Sequence, residues 1–226
     1  MAVSANELVF AIAHEVGNHL GAIRLQSHLL DEDLSAVELA RACVLMDGLA
    51  GSAGSLLSLL RPLLTERKDA RVGREVDWQS VLAAVRQQII DDGTHGTELV
   101  VDEIAGSSER APTVGWLHPL LVAMVGATVT HVSTSERAPG RVELVLDVRA
   151  EGDVLWIIDD GDEESLEQDA ALRGRPLAVA IGACLLDRWG GRVETERDDA
   201  GRTRVGLVFA PAVTGPQAAM DSATSG

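Results

Sequence analysis

The first run of residues able to do chemistry is His14-Glu15-Val16-Gly17-Asn18-His19-Leu20. A near-neutral imidazole on an exposed helix face can act as a nucleophile. Glu15 stands next to it and can orient the ring or accept its proton. Asn18 lies one helical turn on, on the same face, where it can orient a water or a phosphoryl oxygen. The plainer alternative is a surface histidine among ordinary polar neighbours. A zinc protease is excluded. Its two histidine ligands stand four apart on one helix face, whereas position 18 is Asn18, and His14 and His19 point about 140° apart.

A second constellation is Asp159-Asp160-Gly161-Asp162, then Gly174-Arg175-Pro176-Leu177-Ala178, then Gly190-Gly191. An aspartate at a strand end, followed by glycine and later by a Gly-containing helix start, can hold a nucleotide. The carboxylate accepts the adenine amino group, and backbone N–H groups meet the phosphates. By itself this is a weak pattern, because acid-Gly turns after strands are common.

Two long helices must carry the first motif. Over residues 4–30, Val9, Ile12, Val16, His19, Ile23 and Leu30 follow the three-four spacing of a coiled-coil seam, with Gln26 filling one step. His14 is two residues from both Ile12 and Val16, so it turns about 200° from the seam, toward solvent. Over residues 34–64, Ser35 and Glu38 read as a capping box, and Leu45, Leu49, Leu56, Leu59, Leu60 and Leu63 supply an apolar face. Gly48, Gly51 and Gly54 each cost about 1 kcal/mol against Ala, which points to close helix contact. Pro62 is expected to kink or end the helix. Such a hairpin cannot bury both faces alone. A dimeric four-helix bundle is the expected solution, and packing on the rest of its own chain is the alternative.

Beyond residue 74 the pattern changes. Helices are expected over 77–90, 118–131 and 177–189, the last ended by Gly190-Gly191. Strands are expected over 99–104, 141–149, 154–158, 192–197 and 203–209, with a loop over 105–112. The fold class is α+β: a helical hairpin, then a mostly antiparallel sheet with helices on one side. The expected organisation is a hairpin over 1–66, a linker over 67–74, an α/β sandwich over 75–211 and a disordered tail over 212–226. Trp78, Trp116, Trp156 and Trp189 are expected in the core. His28, His95, His118 and His131 are expected to be surface or satisfied residues, and no metal site is expected.

The 226 residues carry 19 Lys plus Arg against 35 Asp plus Glu, a net charge of −16. That argues against nucleic acid or an anionic membrane as the main partner. Cys43 and Cys184 each sit in an apolar stretch and read as buried thiols in a reducing compartment. No basic residue precedes the first apolar stretch, and no apolar run reaches the roughly 18–20 residues of a membrane span. A soluble, cytoplasmic protein is expected.

The order of these pieces resembles the cytoplasmic core of two-component sensor histidine kinases, over residues 5–211. That core has a dimerisation and histidine-phosphotransfer hairpin, then a Bergerat-fold ATP-binding domain. His14 matches the family's phosphoacceptor, Glu15 its adjacent acid and Asn18 the polar position one turn on. Gly17 and His19 depart from the family's basic residue and proline. The stretch Gly21–Leu30 also looks like the family. In the resemblance Asp159 matches the adenine-binding acid and Gly161 the first glycine of the following box.

The remaining nucleotide motifs depart from the family. Gly126 stands where its Mg²⁺-holding asparagine belongs, and Glu163 replaces a glycine. The later glycine box keeps one glycine of three, Gly174. From Asp159 to Asp169 seven acids occur with no Lys or Arg. Each negative charge at ~4–8 Å from a triphosphate costs about 0.5–1 kcal/mol even in a water-like dielectric. Pro176 lacks an N–H to donate. Arg173 and Arg175 can partly compensate.

The resemblance implies three functions. The first is a dimeric histidine phosphotransferase that relays phosphoryl groups between His14 and receiver-domain aspartates, with a degenerate nucleotide site at Asp159, Gly161 and Gly174. It requires no cofactor of its own, because the receiver brings its Mg²⁺. The second is an active, divergent kinase using ATP and Mg²⁺. The third is a pseudokinase scaffold that binds a response regulator without phosphotransfer. Receiver docking is expected near His14, with Gly21, Arg24 and Leu25 close by. Homodimerisation is implied, without nucleic acid or membrane.

Overall fold

A computed structural model describes residues 3–30, 34–65, 76–93, 96–102, 110–112, 114–135, 140–149, 152–161 and 172–209. The expected linker, the C-terminal tail, most of the 105–112 loop, His95 and the acidic run from Asp162 to Asp169 lie outside these residues.

Helix α1 spans Ala5–Leu29 and α2 spans Ala36–Leu64. Each begins at a capping box. The Glu7 N–H donates to Ser4 Oγ at 3.3 Å, and the Ser4 N–H donates to the Glu7 carboxylate at 2.7 Å. Ser35 and Glu38 repeat the exchange at 3.3 and 2.9 Å. Two orphan donors are thereby satisfied at each helix start. Pro62 does not end α2, which runs on to Leu64.

The second part contains β1 (Val76–Asp77), α3 (Trp78–Asp92), β2 (Glu98–Val101), β3 (Arg110–Ala111), α4 (Leu117–Thr134), β4 (Arg141–Arg149), β5 (Gly152–Asp159), α5 (Gly174–Asp187), β6 (Arg192–Arg197) and β7 (Thr203–Val208). Five strands form one mixed sheet in the order β2-β4-β5-β7-β6. The β2–β4 pair is parallel and the others are antiparallel. A short antiparallel pair, β1–β3, stands apart. The expected α+β class is the observed one. Gly190 takes a φ of +74°, and the Gly191 N–H returns to the Leu186 carbonyl at 2.9 Å, closing α5.

The alternation of β4 sends Val142 and Leu144 inward and leaves Arg141 exposed. On the sheet's other face Trp156 lies across Gly206, where a Cβ would collide with its ring. The Arg204 guanidinium sits 4.4 Å above that ring. Trp78 and Trp116 are also buried, and Trp116 meets Trp189 edge-on at 6.1 Å.

The hairpin packs on its own chain. Leu8, Ile12, Leu59 and Leu63 are almost fully buried and join one continuous core with Leu120, Leu121, Leu177 and Leu185 of α4 and α5. Burial of each hairpin side chain contributes roughly 1.5–3 kcal/mol. Two of the three α2 glycines have the expected close contact: a Cβ would meet the Asp92 carbonyl oxygen 2.6 Å from Gly48 and its Oδ1 2.9 Å from Gly51. Gly54 has nothing within 4 Å. Leu39, Leu57 and Leu64 stay exposed on α2. Cys43 corrects the expectation of two buried thiols: it is exposed, on the early part of α2 that the core leaves uncovered, and Cys184 is half-buried. Helices α2 and α4 are each long and apolar enough to cross a membrane by length and composition, contrary to the run-based expectation; half of the α4 stretch is buried in the core.

Candidate functional site

The seam of α1 turns inward and carries His14 outward, where the ring is exposed. His14 lines an open depression of about 540 Å³ with Asn6, Glu7, Phe10, Ala11 and Leu172. Asn18 is also exposed. Its Nδ2 donates to Glu15 Oε2 at 3.3 Å.

Glu15 reaches across the chain. Its Oε1 accepts the Gly174 backbone N–H at 3.3 Å. Gly174 is the first residue of α5, and the preceding Arg173 makes no side-chain cap. A helix start presents orphan N–H groups and a positive dipole end. Glu15 therefore puts a carboxylate where the sequence reading places nucleotide phosphates. The hairpin motif and the glycine box meet in this one bond, 159 residues apart in sequence.

The remaining nucleotide residues gather at the end of β5. Asp159 and Arg175 form a buried ion pair, with Arg175 Nη2 donating to Asp159 Oδ2 at 2.5 Å. Asp159 Oδ1 accepts the Gly161 N–H at 3.1 Å. Burial pushes the Asp159 carboxyl up from its ordinary value. Arg175, the Gly161 N–H and the nearby His131 pull the other way. Asp160 is turned to the sheet, where its Oδ1 accepts the Arg141 N–H at 2.7 Å. The expectation that Arg175 compensates for lost phosphate contacts is corrected here: its guanidinium is sealed against Asp159, because a buried carboxylate requires a partner. Arg173 is exposed.

Gly126 lies on α4, and a Cβ added there would meet Ile89 Cδ1 at 3.4 Å. Between hairpin and domain, a cavity of about 130 Å³ is lined by Glu15, His19, Leu56, Gly126, Gly174 and Leu177 among others. An adjoining one of about 230 Å³ shares His19, Ser52, Gly126 and Thr130. Neither is lined by Asp159 or Gly161, and each is smaller than the roughly 300–1,000 Å³ of ligand pockets.

Among the described residues, those that match the nucleotide site are poorly suited to ATP with Mg²⁺. The acid that would hold adenine is bonded at both oxygens inside the protein, a carboxylate caps the phosphate-side helix, and Gly126 offers no ligand atom.

No family model matches the sequence, and no curated protein matches it. Solved structures do. Full-length ShkA in complex with AMPPNP is 17% identical with a TM-score of 0.52, over 93% of this chain and 47% of that one. A bacterial phosphotransferase determined at 1.7 Å is 14% identical with a TM-score of 0.51, over 92% of this chain and 98% of that one. The nucleotide-free catalytic domain of the histidine kinase ThkA is 11% identical with a TM-score of 0.50, over 61% of this chain and 97% of that one. This chain has the fold of the sensor histidine kinase core. At these identities the likeness speaks for architecture and leaves the chemistry to the residues.

The sequence reading named His14, Glu15 and Asn18 together, and they are neighbours on α1. It named Asp159, Gly161 and Gly174 together. Asp159 and Gly161 are bonded, while Gly174 is bonded to Glu15. It missed the sealing role of Arg175. The available signal was an arginine placed between Gly174 and the apolar run Pro176–Ile181, where burial demands an acid.

Proposed function

We propose that this protein is a histidine phosphotransferase of two-component signalling, working in the cytoplasm. One ring nitrogen of His14 attacks the phosphorus of a receiver's aspartyl phosphate in line. The N–P bond forms as the acyl P–O bond breaks, the aspartate leaves as carboxylate, and the proton on the other ring nitrogen stays with the ring. The reverse step loads a second receiver. The receiver's own Mg²⁺ offsets the charge on the phosphoryl oxygens.

The observation that carries this reading is the pairing of an exposed His14 with an Asp159 closed off by the chain's own Arg175. His14 offers a nucleophile, while Asp159 is engaged by Arg175, Gly126 carries no side chain and the Gly174 N–H is bonded to Glu15. The solved bacterial phosphotransferase of nearly the same length supports the reading. Glu15 acts as a positioning residue, through Asn18 and the start of α5.

The protein works as a homodimer in this reading. Leu39 and Leu57 are 18 residues apart, which is five full turns, and Leu64 follows seven later. They form an exposed stripe on α2 away from α4 and α5, suited to a second copy.

The test is incubation with a phosphorus-labelled receiver domain and, separately, with labelled ATP and Mg²⁺. Label should pass from the receiver, and His14→Ala should abolish it. Label from ATP would establish the divergent kinase instead. Receiver binding without transfer in either direction would establish the scaffold.

A further inference from the structure

Phe10 is 77% exposed, more than any other large apolar side chain among the described residues. It stands four residues before His14, one turn away on the same face of α1. The chain has two phenylalanines and no tyrosine, so an aromatic left in water is a scarce group in an unfavourable place. Phe10 and Leu172 are the large apolar walls of the depression that holds His14. Leu172 comes from just before α5, so both parts of the chain build this surface.

The same face runs past His14 through Gly17 and Gly21 to Leu25, which is 61% exposed. A Cβ on Gly17 or Gly21 would meet nothing within 4 Å. Among the described residues no contact accounts for either glycine, though each weakens the helix. Gly48 and Gly51 differ, because Asp92 crowds both. Small residues at 17 and 21 leave this side of His14 open among the described residues.

We propose that Phe10, backed by Leu172, anchors the protein that carries the phosphoryl group to His14, on the side of His14 opposite Gly17 and Gly21. The proposal rests on the phosphotransferase reading. The occupant follows from geometry. A phosphorylated side chain that reaches His14 brings its protein over Phe10, whereas a second copy seated there would seal His14. The second copy is therefore assigned to the α2 stripe. Among the described residues, Glu7 lines the same depression with its carboxylate bonded by Ser4, the exposed Arg173 follows Leu172, and Arg24 and His28 lie more than two turns beyond His14. The anchor itself is apolar, formed by Phe10 and Leu172.

The experiment uses the full chain and a receiver domain that labels His14 in wild type. Phe10→Ala should raise KM for the phosphorylated receiver about tenfold and leave kcat within about twofold, a loss of about 1.4 kcal/mol in docking. Phe10→Leu should recover most of it. Gly17→Leu favours the helix, so it should fold at least as well and still raise KM. Phosphoramidate, a phosphodonor too small to dock, should label His14 equally in all variants. An unchanged KM in both Phe10→Ala and Gly17→Leu overturns the anchor. So does a change in kcat alone, or a shift of the monomer–dimer equilibrium in either variant. A wild type labelled by phosphoramidate but by no receiver overturns the phosphotransferase reading itself.

Discussion

Arg175 Nη2 lies 2.5 Å from Asp159 Oδ2, with the two side chains 1% and 0% exposed. The pair connects the end of β5 to the first turn of α5. Its remaining polar atoms are less well served: Arg175 Nε and Nη1 are buried without a hydrogen-bond partner among the described residues. A charge pair so placed gains little over an apolar filling, yet removing one member leaves a naked buried charge.

Arg175→Ala should therefore destabilise the protein by about 3–5 kcal/mol. The double variant Asp159→Leu with Arg175→Met should lie within about 1–2 kcal/mol of wild type. Urea unfolding of the three proteins checks this. A mild single variant would show that water reaches Asp159.

Glu15→Ala should remove the cap from α5 and cost about 0.5–2 kcal/mol. Hydrogen exchange should quicken at the Gly174 amide, whose N–H loses its acceptor. His14 should stay reactive toward phosphoramidate, because Glu15 is bonded to Asn18 and Gly174.

Asp92 gives a pH signature. Burial first, then the charges of Asp91 and Asp47, push its carboxyl up from the ordinary value. A raised acid is protonated more readily in the folded state. Its contribution is complete below the unfolded pKa and is lost as pH rises through the folded one. Asp92→Asn should raise Tm at neutral pH, and the gain should vanish below the ordinary carboxylate range. Glu7 and Glu38 act in the opposite sense. Their serine hydrogen bonds lower both carboxyls, so stability present above the ordinary glutamate value is lost as pH falls. Glu7→Gln and Glu38→Gln should flatten that acid limb in thermal melts.

The α2 glycines should separate by sign. Gly54→Ala meets open space and should stabilise by up to about 1 kcal/mol. Gly48→Ala brings a methyl against the Asp92 carbonyl and should destabilise by about 1–3 kcal/mol. Thermal melts of the two variants, compared side by side, decide it.

The sequence made legible whatever repeats with a local period. The Ser35–Glu38 box, the α1 seam and the alternation of β4 placed those elements within a few residues. Strands β1 and β3 are two residues each, too short for any period to show. Pro62 sits in the last turn of α2, which ends at Leu64 as the 34–64 reading has it, and Arg188 Nη1 donates to the Pro62 carbonyl at 2.8 Å. The outward direction of His14 followed from helix geometry. The engagement of Glu15 by Gly174 did not, since its partner comes from the far end of the chain, and the Asp159–Arg175 bond depends on a turn of chain between strand and helix.

Helix α5 is pinned at both tips by the hairpin, through Glu15 at Gly174 and through Arg188 at Pro62. A strut fastened this way cannot slide by one turn along its neighbours without breaking both fastenings. If the two halves of the molecule ever part, they must separate like a lid lifted whole, and Phe10 and Leu172 would leave each other in the same movement.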